Sequence, residues 1–509
     1  MTVAGFALAA ACSTLSAQLV SEAVDLSAMQ KIREEGLTRS KVNDLASYLT
    51  DVIGARLTNS PGSRRANDWA AETFRSWGLA NVKLEAWDSA FGRGWELVSY
   101  SGRILEPWLK PLSAFPQAWS GSTLVKGKPA TVTCPVVFLE IRDSTDIAKY
   151  TGKLKGACVL RGAPQTIGPE HDPRRTRLTL DELINPPPPQ TPGGQGGGGG
   201  QGNFQQAQRL NALVMQLYRS EQPAAILQSS VWTYGINRNG GHLDGRVARD
   251  SVYNPIPNLV VAHEQYGTLF RVAQRGLPVR LELNLQTRFL DDNRFPTNVL
   301  AEIPGTDKAA EVVMIGAHYD SWHSGTGATD NAAGSVIMME AMRILKTVGI
   351  PMRRTVRIAL WTGEEQGLIG SRAWVRMHRG ELDKVSAYLN VDNGTGKLRG
   401  IWNQSNAAAL PVFQQILSPF QDLGVVAVRH GNTGGTDHLS FNTAGVPGFN
   451  FIQDPIEYGT RSHHSDVDTY ERLLIDDLKQ AATVVAWTAF SLANRAEMMP
   501  RPSVARPTP

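Results

Sequence analysis

Five residues with metal-binding side chains follow apolar segments in the second half of the sequence. They are two histidines and three acids, namely His318, Asp330, Glu365, Asp392 and His464. Zinc accepts imidazole nitrogen and carboxylate oxygen in hydrolytic sites, although cobalt or manganese could occupy the same positions. Asp330 can bridge two ions with one oxygen on each. His318 and Asp392 would then complete one ion. Glu365 and His464 would complete the other. The set predicts two Zn²⁺ ions per chain and metal-assisted hydrolysis.

Three further acids are placed to assist this predicted centre. Glu364 lies on a tight turn between a strand and a helix, and we expect it to be the general base. It would take a proton from the attacking water and later deliver it to the leaving amine. Asp320 follows His318 by two residues, and Asp468 follows His464 by four. Each is expected to accept the free imidazole N–H of that histidine and thereby fix its orientation.

Two residues are candidates for the substrate pocket. Tyr458 precedes His464 by six residues, and its hydroxyl is a candidate donor to a developing oxyanion. Asp437 in the segment GGTDH could shape the pocket, or it could belong only to an Asx-turn in a glycine-rich loop. His463 is an alternative ligand to His464. Only His464 has the HSxxD spacing, so the sequence favours it.

The elements that must position these residues alternate between apolar strands and helices from about residue 279 onward. VVMIG, TVRIALW, AYLNV and GFNFI are the predicted strands, and the candidate ligands follow or flank them. Ligands of open α/β sheets bind beyond the carboxyl ends of the strands. We therefore predict the α/β class, with a mixed, mostly parallel central sheet and helices on both faces.

A change of pattern in the middle of the chain predicts a second unit. Short β-rich runs separated by Gly, Pro and polar residues indicate a β-rich insertion, in which a Pro/Gly-dense stretch is expected to be a disordered surface loop. The predicted organisation is a signal peptide at 1–17, the N-terminal part of the catalytic unit at 18–116, the insertion at 117–278 with the loop at 185–203, the catalytic domain at 279–496 and a flexible tail at 497–509.

Composition restricts the partners. The chain has 509 residues, 42% of them hydrophobic and 19% charged, with a formal net charge of +4 and scattered basic residues. This argues against nucleic acid as a partner and against a membrane span. The apolar, small-residue start predicts a secreted or periplasmic protein, with lipid anchoring through Cys12 as a minor alternative. Cys134 and Cys158 could form a disulfide or remain as two buried thiols.

The segments GAHYDS, TDNAAG, WTGEEQG, NVDNG and HHSDVDT resemble the motifs of the M28 dizinc aminopeptidases in order and spacing. The β-rich insertion resembles the protease-associated (PA) domain that many of these enzymes carry. The resemblance implies a zinc-peptidase fold, a bridging role for Asp330 and a cis peptide bond between Asp330 and Asn331. It also implies base catalysis by Glu364 and coordination by His318, Glu365, Asp392 and His464.

These observations predict an exopeptidase that acts on a peptide substrate with a free terminus. Release of N-terminal amino acids is the expected activity, and carboxypeptidase or dipeptidase activity on the same scaffold is the nearest alternative. A glutaminyl cyclase-like enzyme, which works with one zinc ion, and a non-catalytic binding protein are more distant alternatives. The sequence does not predict the oligomeric state.

Overall fold

Two eight-stranded β-sheets organise the chain. The computed structural model describes residues 24–168, 176–185, 201–250 and 254–502. The predicted signal peptide, Cys12 and the greater part of the predicted Pro/Gly loop lie outside these residues. The strands are β1 Ala80–Ala86, β2 Gly94–Glu106, β3 Lys110–Pro111, β4 Ala114–Pro116, β5 Leu124–Val125, β6 Lys128–Pro129, β7 Val132–Leu139, β8 Cys158–Arg161, β9 Ala225–Ser229, β10 Asn258–Val261, β11 Arg280–Leu290, β12 Thr297–Ile303, β13 Lys308–His318, β14 Arg354–Trp361, β15 Val385–Asn390, β16 Leu398–Trp402, β17 Ala427–Arg429 and β18 Gly448–Gln453.

Helices cover the first sheet and part of the second. The α-helices are α1 Leu26–Thr38, α2 Val42–Ser47, α3 Pro61–Ser76, α4 Leu180–Ile184, α5 Gln201–Glu221, α6 Arg246–Asp250, α7 His263–Gln274, α8 Ala333–Val348, α9 Ile369–Met377, α10 Leu410–Leu417, α11 His438–Thr443 and α12 Ile475–Asn494. Helix α8 ends where Gly349 adopts the left-handed conformation (φ 65°), which glycine reaches without a Cβ clash.

The first sheet has the order β1-β12-β14-β13-β15-β18-β16-β17. Its four central strands, β14, β13, β15 and β18, are mutually parallel, whereas β1, β12 and β16 introduce antiparallel pairs. Strands β14, β15 and β18 consist almost entirely of buried residues, and β13 is buried from Val312 onward, as expected for strands covered on both faces. The predicted α/β fold with a mixed sheet is therefore confirmed.

Alternate residues of the central strands face two different cores. Val313 and Ile315 of β13 belong to the core formed with α1, α8 and α12. Met314, between them, belongs to the opposite core, where Trp374 of α9 and Phe441 of α11 pack. Because successive side chains of a strand point to opposite faces, the sheet packs against one helical layer on each face.

The second sheet has the order β3-β2-β11-β7-β8-β9-β10-β4, and β7 to β10 are parallel neighbours. The sheet extends beyond the predicted insertion, residues 117–278, on both sides. Its strands β2 and β11 lie before and after that insertion and pair along their whole length. A disulfide joins Cys134 of β7 to Cys158 of β8, which resolves the two alternatives for these cysteines.

The chain after α12 is ordered for longer than the sequence predicts. Met499 is 3% exposed, and its N–H donates to the Ser386 hydroxyl. Arg501 donates to the carbonyl oxygens of Leu382 and Val385. The prediction of a flexible tail from residue 497 is therefore corrected, because an apolar side chain and a hydrogen-bonded guanidinium attach residues 499–501 to the first sheet. Among the described residues, no helix is both long and apolar enough to cross a bilayer.

Candidate metal centre

The predicted ligands converge at one edge of the first sheet. Strands β13, β14, β15 and β18 run parallel, so their carboxyl ends lie side by side. His318 is the last residue of β13, and Asp392 follows the end of β15 by two residues. Glu365 and His464 lie on the segments that follow β14 and β18. The topology thus brings together side chains that are far apart in the sequence.

His318, Asp330 and Asp392 form the first group of candidate ligands. The Nε2 atom of His318 lies 3.2 Å from Oδ1 of Asp330 and 3.3 Å from Oδ1 of Asp392. His318 is 1% exposed, and the Asp330 side chain is 4% exposed. Three ligand atoms therefore face one another in a buried space of the size that a metal ion occupies.

Asp330, His463 and His464 form the second group, and Glu365 lies against His464. The Nε2 atom of His464 lies 2.9 Å from Oε2 of Glu365 and 3.3 Å from Oδ2 of Asp330. The Nε2 atom of His463 lies 3.8 Å from the same Asp330 oxygen. His464 thus contacts two carboxylates, and His463 lies at the border of the group.

Asp330 belongs to both groups and presents a different oxygen to each. Its Oδ1 faces His318 and its Oδ2 faces His464. Among the described residues, the buried atoms Asp330 Oδ2, Glu365 Oε1 and Asp392 Oδ1 have no hydrogen-bond partner. Buried carboxylate oxygens without donors are costly unless cations compensate their charge. Two imidazoles and three carboxylates in this arrangement therefore fit two zinc ions that share Asp330.

Glu364 lies next to the ligand groups, close enough for the charges of His318, Asp392 and Glu365 to act on it. Burial, together with the negative charges of Asp392 and Asp437, raises the pKa of Glu364 well above its ordinary value, although His318 opposes the shift. Bound cations would lower this pKa again. A carboxylate whose pKa is balanced between these effects suits proton transfer near neutral pH.

Asp320 joins the end of β13 to the turn after β14. Its carboxylate accepts hydrogen bonds from the Thr58 hydroxyl at 2.9 Å and from the backbone N–H of Glu364 at 3.2 Å. The Nδ1 atom of His318 lies 3.0 Å from the backbone oxygen of Asp320 and 3.7 Å from its carboxylate. Asp320 therefore orients His318 chiefly through its carbonyl, and its side chain holds the turn that carries Glu364.

Asp468 supports the bridging residue. Its carboxylate accepts hydrogen bonds from the backbone N–H of Thr329 at 2.7 Å, the Thr329 hydroxyl at 2.8 Å and the backbone N–H of Asp330 at 3.1 Å. The sequence suggested that Asp468 orients His464. In the structure, the Asp468 carboxylate instead binds the backbone N–H groups of Thr329 and Asp330.

The backbone is unusual at two of the candidate ligands. The peptide bond between Asp330 and Asn331 is cis, as the resemblance implied. The Asn331 side chain donates to the carbonyl of Val391 and accepts from the N–H of Gly334, which ties this turn to the residue before Asp392. His464 has a φ of 60°, a left-handed conformation that is rare for a residue with a Cβ.

The two pocket candidates lie beside the ligand groups. Burial raises the pKa of Asp437 to about 7. Burial, together with the charges of Asp330 and Asp392, raises the pKa of Tyr458 well above its ordinary value, so its hydroxyl stays protonated. The Tyr458 ring lies 4.9 Å from that of His463 and borders a cavity that Trp402 also lines.

Three neighbours of the site carry no signal in the sequence. Thr58 comes from the N-terminal part of the chain and contacts Asp320. Asn237 and Arg238 come from the segment between β9 and β10 and lie against the His464 loop. Burial and the nearby charge of Arg238 contribute to a lowered pKa of His463, about 4. Short-range patterns cannot identify these residues, because their contacts join segments that are more than two hundred residues apart in the sequence.

Comparison with known proteins gives one family for the segment that carries the site. The model of Peptidase family M28 matches residues 298–489. Carboxypeptidase Q from Pongo abelii is 32% identical over 270 residues, which are 50% of this chain and 56% of that protein. The matched region thus spans little more than half the length of this curated relative.

Two solved structures share the fold. The peptidase M28 precursor from Shewanella amazonensis has a TM-score of 0.68 at 24% identity, and the match covers 94% of this chain and 98% of that one. A zinc aminopeptidase from Bacillus subtilis has a TM-score of 0.57 at 18% identity, with coverage of 90% and 95%. The segment of this chain that matches peptidase family M28, residues 298–489, contains every candidate ligand.

Proposed function

We propose that the chain is an exopeptidase that holds two zinc ions and releases amino acids from the N-terminus of peptides. One observation carries this proposal. The Asp330 carboxylate turns one oxygen toward His318 and the other toward His464, each within 3.3 Å. His318 and Asp392 would complete the first ion, and the Glu365 and His464 pair would complete the second.

The chain's own residues would transfer the proton, bind the developing oxyanion and hold the catalytic side chains in place. When bound, the zinc ions supply Lewis acidity and acidify a water molecule. Glu364 accepts the proton of the attacking water and delivers it to the amine that leaves. Tyr458, with its hydroxyl protonated, donates a hydrogen bond to the oxygen on which negative charge develops. Asp320 and Asp468 hold the segments that carry Glu364 and Asp330.

Charge around the site supports recognition of a free α-ammonium group. Glu364 and Asp437 are buried acids beyond the three carboxylate ligands, and an ammonium group beside them would favour their charged forms, against the burial that raises their pKa. The cavity lined by Trp402, Phe451 and Tyr458 gives space for an apolar side chain next to the cleaved bond.

Carboxypeptidase or dipeptidase activity is the second candidate. Arg238 lies close enough to His463 and His464 for its charge to influence both, and a guanidinium there would attract a free C-terminal carboxylate. The similarity to a protein named carboxypeptidase Q favours the same alternative. The two candidates share the metal centre and differ in the terminus that they recognise.

A set of blocked peptides separates the candidates. Leucine-containing tripeptides with both termini free, with an acetylated N-terminus or with an amidated C-terminus would be incubated with the zinc-loaded enzyme, and the products identified by mass spectrometry. We expect the free and amidated peptides to lose their first residue and the acetylated peptide to remain intact. Cleavage of the acetylated peptide at its C-terminus would establish the carboxypeptidase instead.

The catalytic role of Glu364 is tested in the same assay. We expect Glu364→Gln to bind zinc as the wild type does and to lower kcat by about 10²- to 10⁴-fold, because it removes only the proton acceptor. Unchanged kcat in a zinc-loaded variant would exclude Glu364 as the base.

We further propose that the protein is exported. The buried Cys134–Cys158 disulfide supports this proposal, because disulfides persist in oxidising compartments. Fractionation of cells that express the full chain tests it. We expect the enzyme outside the cytoplasm, and recovery of oxidised protein only from the cytoplasm would contradict export.

A further inference from the structure

A short segment between β9 and β10 pairs with the loop that carries His464. The backbone N–H of Asn239 donates to the carbonyl of His464 at 2.8 Å. The backbone N–H of Asp466 donates to the carbonyl of Asn237 at 3.1 Å. Arg238 and Ser465 lie between these bonds as an antiparallel bridge. Residues 237–239, which we call the positioning segment, thus form a miniature ladder with residues 464–466.

Side chains reinforce this ladder. The Asp466 carboxylate accepts from the backbone N–H of Asn237 at 3.0 Å and from its side-chain amide at 2.9 Å. Asn237 is 3% exposed, so its amide makes this bond away from solvent. A hydrogen bond from a buried amide to a charged carboxylate is among the stronger kinds in proteins.

The positioning segment is itself fixed to the second sheet. The Asn239 side chain donates to the carbonyl of Phe115 at 3.2 Å. The N–H of Gly240 donates to the Gln117 side chain at 2.6 Å, and the carbonyl of Gly240 accepts from the N–H of Ala118 at 2.9 Å. The segment therefore connects the second sheet to the His464 loop as a short, hydrogen-bonded bridge.

The His464 loop needs such support more than the other parts of the metal centre. His318 is the last residue of a central strand, whereas His464 lies on an irregular loop and has a left-handed φ of 60°. The His464 ring lies 6.0 Å from the ring of Trp322, edge to face. A metal ligand must keep its position within about 0.5 Å, and the backbone bonds at the His464 carbonyl and at the Asp466 N–H restrict His464 in this way.

We propose that residues 237–239 position His464, and thereby set the affinity of the metal ion that His464 and Glu365 hold. The inference rests on the proposed dizinc centre. It assigns to the second sheet a direct effect on one of the two metal sites. Asn237 is a positioning residue, because it acts through the Asp466 contact and the backbone of residues 464–466 and touches neither metal nor substrate.

Zinc titration of Asn237→Asp tests the proposal. This substitution places a second carboxylate opposite Asp466 at the 2.9 Å contact, so the two acids repel. We expect one of two zinc ions to bind about 10- to 100-fold more weakly, the usual range for loss of a supporting contact, while the other keeps its affinity. Isothermal titration calorimetry of the metal-stripped full-length protein measures both affinities without any activity assay.

A swapped pair provides the rescue. In Asn237→Asp combined with Asp466→Asn, the amide and the carboxylate exchange places, and both hydrogen bonds can form again. We expect this double variant to recover the wild-type affinity of the weakened site. Asn237→Ala is the milder variant, which keeps the backbone bond to Asp466 and should weaken the same ion by a smaller factor.

Asn254→Asp is the matched control. Asn254 also lies in the second-sheet unit, and its side chain bonds both backbone groups of Ser122, far along the chain from the His464 loop. We expect it to leave both zinc affinities unchanged. Equal weakening of both ions in Asn237→Asp, or no recovery in the swapped pair, would overturn the proposal. A wild type that binds no zinc would instead refute the proposed function.

Discussion

Two adjacent histidines, His463 and His464, face the carboxylate of Asp330 at different distances. The Nε2 atom of His464 is 3.3 Å from this carboxylate and also 2.9 Å from Glu365, whereas that of His463 is 3.8 Å away. His464 is the better candidate for a metal ligand, because its Nε2 atom contacts two carboxylates. His463 has only one carboxylate near its Nε2 atom, at a longer distance, so we expect it to lie beside the metal ion without binding it.

This difference predicts opposite results for two alanine variants. We expect His464→Ala to lose one zinc ion per chain and at least about 10²-fold in kcat/KM, because one ion loses a ligand from its inner shell. His463→Ala is the adjacent control and should retain both ions. Zinc content by mass spectrometry measures this directly, and the reverse pattern would make His463 the ligand.

At the scale of elements, the segment that contains α4 crosses from the second sheet to the first. The Arg177 guanidinium bonds Asp477 at 2.8 Å and Asp454 at 3.0 Å, and both carboxylates are buried. The N–H of Leu178 also donates to Asp454. Leu183 packs in a small apolar cluster against the first sheet. Arg177 therefore holds residues 176–184 beside the cavity near Tyr458.

We expect Arg177→Ala to loosen this segment by about 1–2 kcal/mol, because Asp477 stays buried after losing a cationic partner, while the exposed side of Arg177 limits the loss. Hydrogen exchange at the amides of residues 178–184 should become faster. Arg142→Ala removes an exposed pair with Glu140 and is the control. Equal protection in Arg177→Ala and the wild type would show that the ion pairs do not hold the segment.

His378, which follows α9, predicts a pH-dependent contribution to stability. Its hydrogen bond to Glu85 of β1 raises the pKa of His378, against the effect of burial, and its ring stacks on Trp374. A raised folded-state pKa stabilises the fold below the unfolded pKa of about 6.5, and this stabilisation is lost as pH rises through the folded value.

We therefore expect the loss of unfolding free energy in His378→Gln to be larger at about pH 6 than at about pH 9. Glu85, whose pKa is lowered by His378 and Lys83 against the effect of burial, stays ionised at both. Urea denaturation at the two pH values measures the difference. His430→Gln, which removes a ring that contacts Asn403, is the control. An equal loss at both pH values would exclude the His378 charge as the cause.

Short-range sequence patterns predicted the site residues that follow the strands. They missed the residues whose contacts depend on how distant segments pack together. His318 and Asp392 follow apolar strands, and parallel strands carry their ends to one edge, so the sequence was sufficient for the convergence. The contacts of Asn237 and Arg177 join segments more than two hundred residues apart, and no local periodicity encodes them. The same reason explains why Met499 was predicted to lie in a flexible tail.

At the scale of the whole molecule, one covalent link stabilises the second sheet. The Cys134–Cys158 disulfide joins parallel neighbours β7 and β8 and spans a sequence separation of 24 residues. We expect replacement of both cysteines by alanine to lower the free energy of unfolding by about 3 kcal/mol, from loop closure in the unfolded chain. Urea denaturation measures this change. Reductant that leaves the wild-type curve unchanged would contradict a stabilising role.

The proposed dizinc centre depends on Asp330 as the ligand that both ions share, and the zinc content per chain tests this role. The full-length protein would be loaded with zinc, dialysed and analysed by mass spectrometry, together with Asp330→Asn and the exposed control Asp476→Asn. We expect two zinc ions in the wild type and the control, and at most one in Asp330→Asn, which has only one ligand oxygen to offer. A wild type with no zinc, or an Asp330→Asn variant that still binds two ions tightly, would contradict it.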